Sequence, residues 1–169
     1  HRDLHSFPTR RSSDLSPRLT IGVDFFSKKV RLEDGKKVKL QVWDFGGEER
    51  FRFLLPTYSK GSNAAIFLYD ITSQKSLDSL PDWLEIVRKN AGNIPILLLG
   101  SKLDLEEHRQ VSSEAAGEAS QKHLLNGFLE LSAKTGQNVE ESFKLITELL
   151  LEESKRISEG LSQAVPADD

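Results

Sequence analysis

No cysteine occurs anywhere in the 169 residues, which excludes disulfides and zinc-thiolate sites and fits a reducing compartment. No apolar window reaches transmembrane length, and no internal repeat or low-complexity stretch is visible. Nor is there a surplus of positive charge. Lys and Arg number 23 against 26 Asp and Glu, a formal net charge of −3, so there is no electrostatic case for binding nucleic acid or an anionic membrane. With 37% hydrophobic and 29% charged residues, the composition predicts one soluble folded domain. What the chain does contain is a series of short apolar runs, each ending on a polar motif.

Residues 43–51, WDFGGEERF, follow one such run and place Asp44 three positions before Gly47, where the chain must turn. That spacing suits a nucleotide-phosphate site, with a carboxylate for a Mg²⁺ shell and a backbone N–H at a residue small enough to approach a phosphate. Residues 64–69 stop at Asp70, residues 94–100 at Ser101, Lys102, Leu103 and Asp104, and residues 128–131 at Ser132, Ala133 and Lys134. Apolar runs of this kind, alternating with helix-period segments, predict a parallel sheet, and such sheets bind ligands outside their carboxyl ends. Taken singly each motif has a plain reading: Asp and Gly favour turns, and Ser-Ala-Lys can open a helix. Their joint order, each at a strand end, points to a site. His108 and His123 lack metal-ligand spacing and read as surface residues.

Between these motifs, Asp34-Gly35 separates the alternating segments 23–32 and 38–43 and predicts a hairpin turn. Leu80, Trp83, Leu84 and Val87 recur at helical spacing behind Ser79, a predicted cap, with Pro81 in the first turn. Val139, Phe143, Ile146 and Leu150 form a second stripe, with Asn138 and Glu141 placed as a capping pair.

In order along the chain, these motifs resemble those of the Ras-superfamily small GTPases, nearest to the Rab-like branch, over about residues 19–157. Residues 20–25, TIGVDF, resemble the first switch, WDFGGEERF the second, YDIT at 69–72 the strand after it, SKLD the guanine-reading motif and SAK the last base contact. The resemblance implies an α/β fold, a P-loop NTPase-like G domain with a mostly parallel sheet and helices on both faces. It also implies a GTP/GDP-dependent molecular switch that hydrolyses GTP with Mg²⁺.

One family element is missing. The phosphate cradle G-x-x-x-x-G-K-[ST] occurs nowhere, the one Gly-Lys pair being Gly35-Lys36, with Val30 and Lys37 at the flanking positions of the pattern. The cradle's place upstream of the first switch is held by residues 1–15, HRDLHSFPTRRSSDL, which match a translated sequencing adapter and are set aside as a non-native leader. The expected organisation is therefore this leader, a partial GTPase domain over 16–157 lacking the first strand, phosphate loop and first helix, and a flexible tail over 158–169. The absent part amounts to about 25 residues by ordinary element lengths. Loss of a central strand should divide the sheet between the first hairpin and the later parallel strands, leaving the fragment inactive.

The resemblance assigns roles residue by residue. Asp104 accepts from the N1–H and exocyclic amine of guanine, which adenine cannot match. The stems of Lys102 and Lys134 cover the two faces of the base, and the Ala133 N–H meets guanine O6, with Ser101 and Ser132 completing the base loops. Thr20 and Asp44 serve Mg²⁺, Thr20 and Gly47 the γ-phosphate, and Glu48 stands where the family has the Gln that orients water. Ser101 in place of Asn or Thr ties the base loop less firmly. An ionised Glu48 cannot donate to a transferring phosphoryl group. The alternative is a pseudo-GTPase or interaction module that binds partners without turnover.

Phe25, Trp43 and Tyr58 match the Rab-type aromatic surface between the switches, with ordinary packing as the other reading. Expected partners are guanine nucleotide and effector, exchange-factor and GTPase-activating proteins. The absence of cysteine removes the family's C-terminal prenylation, and the tail is neither a polybasic nor an amphipathic anchor, so no lipid anchor is visible. The expected location is cytoplasmic, peripheral to a membrane only through partners.

Overall fold

The computed structural model describes residues 22–163; Thr20 and residues 1–15, the segment expected as a leader, lie outside the described residues. In chain order the strands are β1 (Val23–Arg31), β2 (Lys37–Phe45), β3 (Ala65–Asp70), β4 (Ile96–Ser101) and β5 (Gly127–Glu130). The helices are α1 (Leu55–Ser59), α2 (Gln74–Asp78), α3 (Leu80–Ala91), α4 (Ser113–Lys122) and α5 (Val139–Gln163), with 3₁₀ segments at Glu49–Leu54 and Leu103–His108. They divide into two compact units, one running to Ser62 and including Ser79–Gly92, the other Asn63–Asp78 with the chain from Asn93 onward.

The first unit is built on the β1–β2 hairpin. Its turn forms where Asp34-Gly35 predicts: Gly35 takes a φ of +84°, open to a residue without Cβ, and the Lys36 N–H donates to Asp34 Oδ1 at 2.9 Å. The Leu32 N–H donates to the Lys36 carbonyl at 2.9 Å, closing the loop and fixing a register that sets Phe25 opposite Trp43 and Asp24 opposite Asp44. In α3, Leu80 and Leu84 are buried while Trp83 and Val87 are partly so, as the stripe predicts. The Ser79 cap is not made. Its ψ of −10° is helical rather than extended, so its hydroxyl is not presented to the first-turn N–H groups and makes no capping hydrogen bond. The Arg52 guanidinium lies over the Trp83 ring at 5.2 Å and 3.5 Å from the Asp82 carboxylate, joining the first 3₁₀ segment to α3.

The second unit is a parallel sheet in the order β3-β4-β5. Ile96, Leu97, Leu98 and Leu99 are all at most 3% exposed, which is why β4 reads as an unbroken apolar run rather than an alternating one. At Gly100 a Cβ would lie 2.6 Å from the Tyr69 hydroxyl, so only glycine lets that ring cross β4. β3 departs from the expectation of burial on both faces. Ile66 and Leu68 are 40% and 56% exposed on an edge strand, so one face of it is open. Ser112 caps α4 by accepting from the Ala115 N–H at 3.1 Å. In α5, Val139, Phe143 and Ile146 are buried, and the helix continues through Gln163 into the segment expected as a tail. Asn138 takes a left-handed φ of 59° and sends its side-chain N–H to the Glu130 carbonyl at 2.8 Å, a different role from the extended cap paired with Glu141.

The described strands form two sheets, the β1–β2 hairpin and the parallel sheet β3-β4-β5. The architecture is α/β, with three strands parallel and two antiparallel.

Candidate functional site

Three of the predicted motifs converge at the carboxyl ends of β3, β4 and β5, within the second unit. β4 ends at Ser101, whose hydroxyl donates to the Tyr69 carbonyl of β3 at 2.7 Å. The next residue, Lys102, adopts left-handed φ and ψ of 66° and 36°, a conformation unusual for a residue with a Cβ, and it swings the chain into the 3₁₀ segment that carries Asp104. The Leu103 N–H then donates to the Leu131 carbonyl at 3.0 Å, bringing the two loops together.

Ser132 is fully buried and serves both loops at once. Its hydroxyl donates to Asp104 Oδ1 at 2.6 Å and accepts from the Thr135 N–H at 3.1 Å, while its carbonyl accepts from the Gly136 N–H at 2.9 Å. Asp104, Ala133 and Lys134 are exposed beside it. An exposed carboxylate oriented by a buried hydroxyl can accept two parallel hydrogen bonds from a planar donor pair.

Asp70 ends β3, and the sequence marks it only as part of the YDIT strand motif. It pairs with Lys102 Nζ at 2.5 Å, and Asp70 Oδ1 accepts from the Thr72 N–H at 2.8 Å and hydroxyl at 2.7 Å. Burial pushes the Asp70 carboxyl up, but the hydrogen bonds from Lys102 and Thr72 outweigh it and hold the group below its ordinary value. The Lys102 side chain nevertheless remains 54% exposed, so its stem is open while its ammonium is fixed. Register carried the missing signal: Asp70 lies opposite Ser101, directly before Lys102.

The first unit presents the other predicted residues. Asp44 lies near the end of β2 and is exposed, as is Gly47 just beyond. A Cβ at Gly47 would meet nothing within 4 Å, and its φ is not in the left-handed region, so the chain's own packing does not demand glycine there. Glu48 has an extended backbone, and Arg50 Nε lies 2.5 Å from its carboxylate. Among the described residues no group of three or more His, Asp and Glu is placed to hold a metal ion.

Phe25, Trp43 and Tyr58 do come together. The Phe25 and Trp43 rings lie 4.8 Å apart and Trp43 and Tyr58 5.2 Å, with exposures of 46%, 45% and 36%. Phe45 extends the row at 5.9 Å from Tyr58, a member that its i+2 spacing from Trp43 on β2 could have revealed. An exposed aromatic row is a surface rather than a core. No described helix is long and apolar enough to cross a membrane.

Sequence comparison shows the family. The Ras family matches residues 9–152, a range that begins inside the segment expected as a leader. The mouse Ras-related protein Rab-19 is 43% identical over 155 residues, covering 88% of this chain and 71% of the relative. Human Ras-related protein Rab-19 is 44% identical over 133 residues, covering 78% of this chain and 61% of the relative. Dog Ras-related protein Rab-13 is 41% identical over 152 residues, 89% and 73% respectively. The chain therefore belongs to the Ras family of small GTP-binding switch proteins, whose members hydrolyse GTP, and within it is similar to the Rab proteins.

Proposed function

We propose that this chain reads guanine through Asp104 and that its family's switch chemistry is carried by the residues the resemblance assigns. The observation that carries the reading is the Ser132 hydroxyl on Asp104 Oδ1 at 2.6 Å, which leaves an aligned carboxylate beside Lys102 and Lys134. Asp104 accepts from the N1–H and exocyclic amine of the base. The stems of Lys102 and Lys134 lie on its two faces, and the Ala133 N–H donates to its O6. Asp70 supports the arrangement by fixing the Lys102 ammonium and leaving its stem free.

On the phosphate side, Asp44 and Thr20 would hold Mg²⁺, an ion that takes one or two protein oxygens and otherwise phosphates and water. The ion neutralises charge on the phosphates when bound. Gly47 lends its N–H to the γ-phosphate, and the open space where its Cβ would stand supports that role. The exposed row of Phe25, Trp43 and Tyr58 is the surface for effector, exchange-factor and GTPase-activating proteins. The protein works in the cytoplasm, reaching membranes through such partners.

Titration calorimetry with GDP and ADP tests the reading, preferably in a form carrying the family's phosphate loop ahead of residue 16. Guanine preference supports it; equal affinities contradict it. A second reading, partner binding without turnover, is favoured by Glu48, whose carboxylate is held by Arg50 where a water-orienting Gln belongs in the family pattern. Single-turnover hydrolysis separates the two.

A further inference from the structure

A dense polar cluster lies away from the base-facing atoms, at the far end of the Asp104 segment. Arg109 follows the 3₁₀ segment Leu103–His108, and its guanidinium has five N–H donors. Nε donates to Glu106 Oε1 at 2.8 Å and Nη2 to Glu106 Oε2 at 2.6 Å. Nη1 donates to Glu130 Oε1 at 2.7 Å and to the Val111 carbonyl at 2.8 Å, and Nη2 to Glu130 Oε2 at 2.8 Å. All five donors are used.

Glu130 is the last residue of β5, two positions before Ser132. Its carboxylate also accepts from the Tyr69 hydroxyl at 3.3 Å, reaching across Gly100, and from the Ser113 hydroxyl at 3.0 Å. Thus the 3₁₀ segment is tied back on itself through Glu106 and pinned to β5 through Glu130. It needs such a tie: it enters through left-handed Lys102 and is broken by the non-helical Leu105, with φ −102° and ψ 36°. A kinked segment of six residues has little helical hydrogen bonding of its own to hold its shape.

We propose that Arg109 is a positioning residue for guanine recognition, its bidentate clamp on Glu130 holding the Asp104 segment in register with the loop at residues 132–134. The proposal deepens the base-reading role of Asp104 and rests on it. Lysine cannot substitute, because an ammonium carries the charge without the planar fork that meets both carboxylates at once.

Amide hydrogen exchange on the full chain, comparing wild type with Arg109→Lys, Arg109→Ala and Glu130→Gln, tests the clamp without any nucleotide. The expected result is exchange faster by about tenfold or more at Leu103, Leu105, Thr135 and Gly136, with Leu97, Leu98 and Leu99 unchanged. Lysine at 109 should not restore protection. Uniform acceleration of all these amides, no acceleration, or full protection with lysine overturns the proposal. The milder Arg109→Lys and Glu130→Gln variants keep the test open if Arg109→Ala does not fold. In a form carrying the family's phosphate loop ahead of residue 16, the GDP-to-IDP affinity ratio is the second readout, because inosine lacks the exocyclic amine that a well-placed Asp104 would bind. It should fall toward one in Arg109→Lys; an unchanged ratio in a variant that still binds GDP overturns the proposal. If the exchange result holds but the wild type does not discriminate GDP from IDP, it is the base-reading role of Asp104 that fails.

Discussion

Ser132 donates its buried hydroxyl to the Asp104 carboxylate at 2.6 Å, so two loops twenty-eight residues apart are aligned by one side chain. Replacing Ser132 with Ala removes that donor and also the acceptor used by the Thr135 N–H at 3.1 Å. Hydrogen bonds to charged groups contribute about 1.5–3 kcal/mol. GDP affinity should fall by about ten- to a hundredfold in Ser132→Ala, measured by calorimetry in a form carrying a phosphate loop, with a smaller loss for Ser132→Thr. Unaltered affinity would show that Asp104 needs no such support.

Glu48 makes a prediction of opposite sign. Its carboxylate, held 2.5 Å from Arg50 Nε, can neither donate to a phosphoryl group nor sit near one without repulsion. In a form carrying the family's phosphate loop ahead of residue 16, Glu48→Gln should raise the single-turnover rate of GTP hydrolysis by about tenfold or more, since a lost transition-state donor is commonly worth more than that. A wild type already faster than the Gln variant would make Glu48 a base.

Acid should weaken the second unit in a defined window. Hydrogen bonding from Arg109 holds the Glu130 carboxyl below its ordinary value, with Ser113 and Tyr69 adding to the effect against burial. A lowered folded-state pKa means that the native state binds fewer protons than the unfolded one, so stability rises with pH through that range. The contribution is complete above the unfolded glutamate value of about 4.3 and is lost as pH falls through the folded one. Melting temperatures recorded from pH 7 to pH 2.5 should drop below about pH 4, less steeply in Glu130→Gln. Parallel curves for the two proteins would remove Glu130 from the account.

Gly100→Ala should be costly out of proportion to one methyl group. The added Cβ would lie 2.6 Å from the Tyr69 hydroxyl and 2.8 Å from its Cζ, both within a buried strand pair. Overpacking of this kind costs about 1–3 kcal/mol. Urea denaturation should show that loss, partly relieved by Tyr69→Phe, which removes the nearer atom.

The exposed aromatic row should matter little to folding. Trp43→Ala removes contacts to Phe25 at 4.8 Å and Tyr58 at 5.2 Å, each worth about 0.5–1.5 kcal/mol. A much larger loss in urea denaturation would mean that Trp43 is core rather than docking surface.

The sequence made legible what local chemistry decides. The Asp34-Gly35 turn, the unbroken run of β4 and the placing of Asp104, Ser132 and Lys134 beyond strand ends follow from turn residues and apolar runs read along the chain. Ser79 misled because a cap depends on an extended backbone, and nothing in the residue itself fixes ψ. The Lys102–Asp70 and Arg109–Glu130 pairs stayed hidden because parallel crossovers set their partners far apart in sequence. The openness of Ile66 and Leu68 was invisible for a related reason: an apolar residue does not record whether its face is covered. Thr20, the expected Mg²⁺ and γ-phosphate ligand, lies outside the described residues.

The central claim, that Asp104 reads the base, is tested most directly by comparing GDP and XDP binding to wild type and Asp104→Asn in a form carrying the family's phosphate loop ahead of residue 16. Xanthine presents a carbonyl where guanine has an amine, so an amide donor should suit it and a carboxylate should not. The account predicts that the wild type prefers GDP and that Asp104→Asn loses several kcal/mol of GDP affinity while gaining XDP. Unchanged GDP affinity in Asp104→Asn, with no gain for XDP, would contradict it.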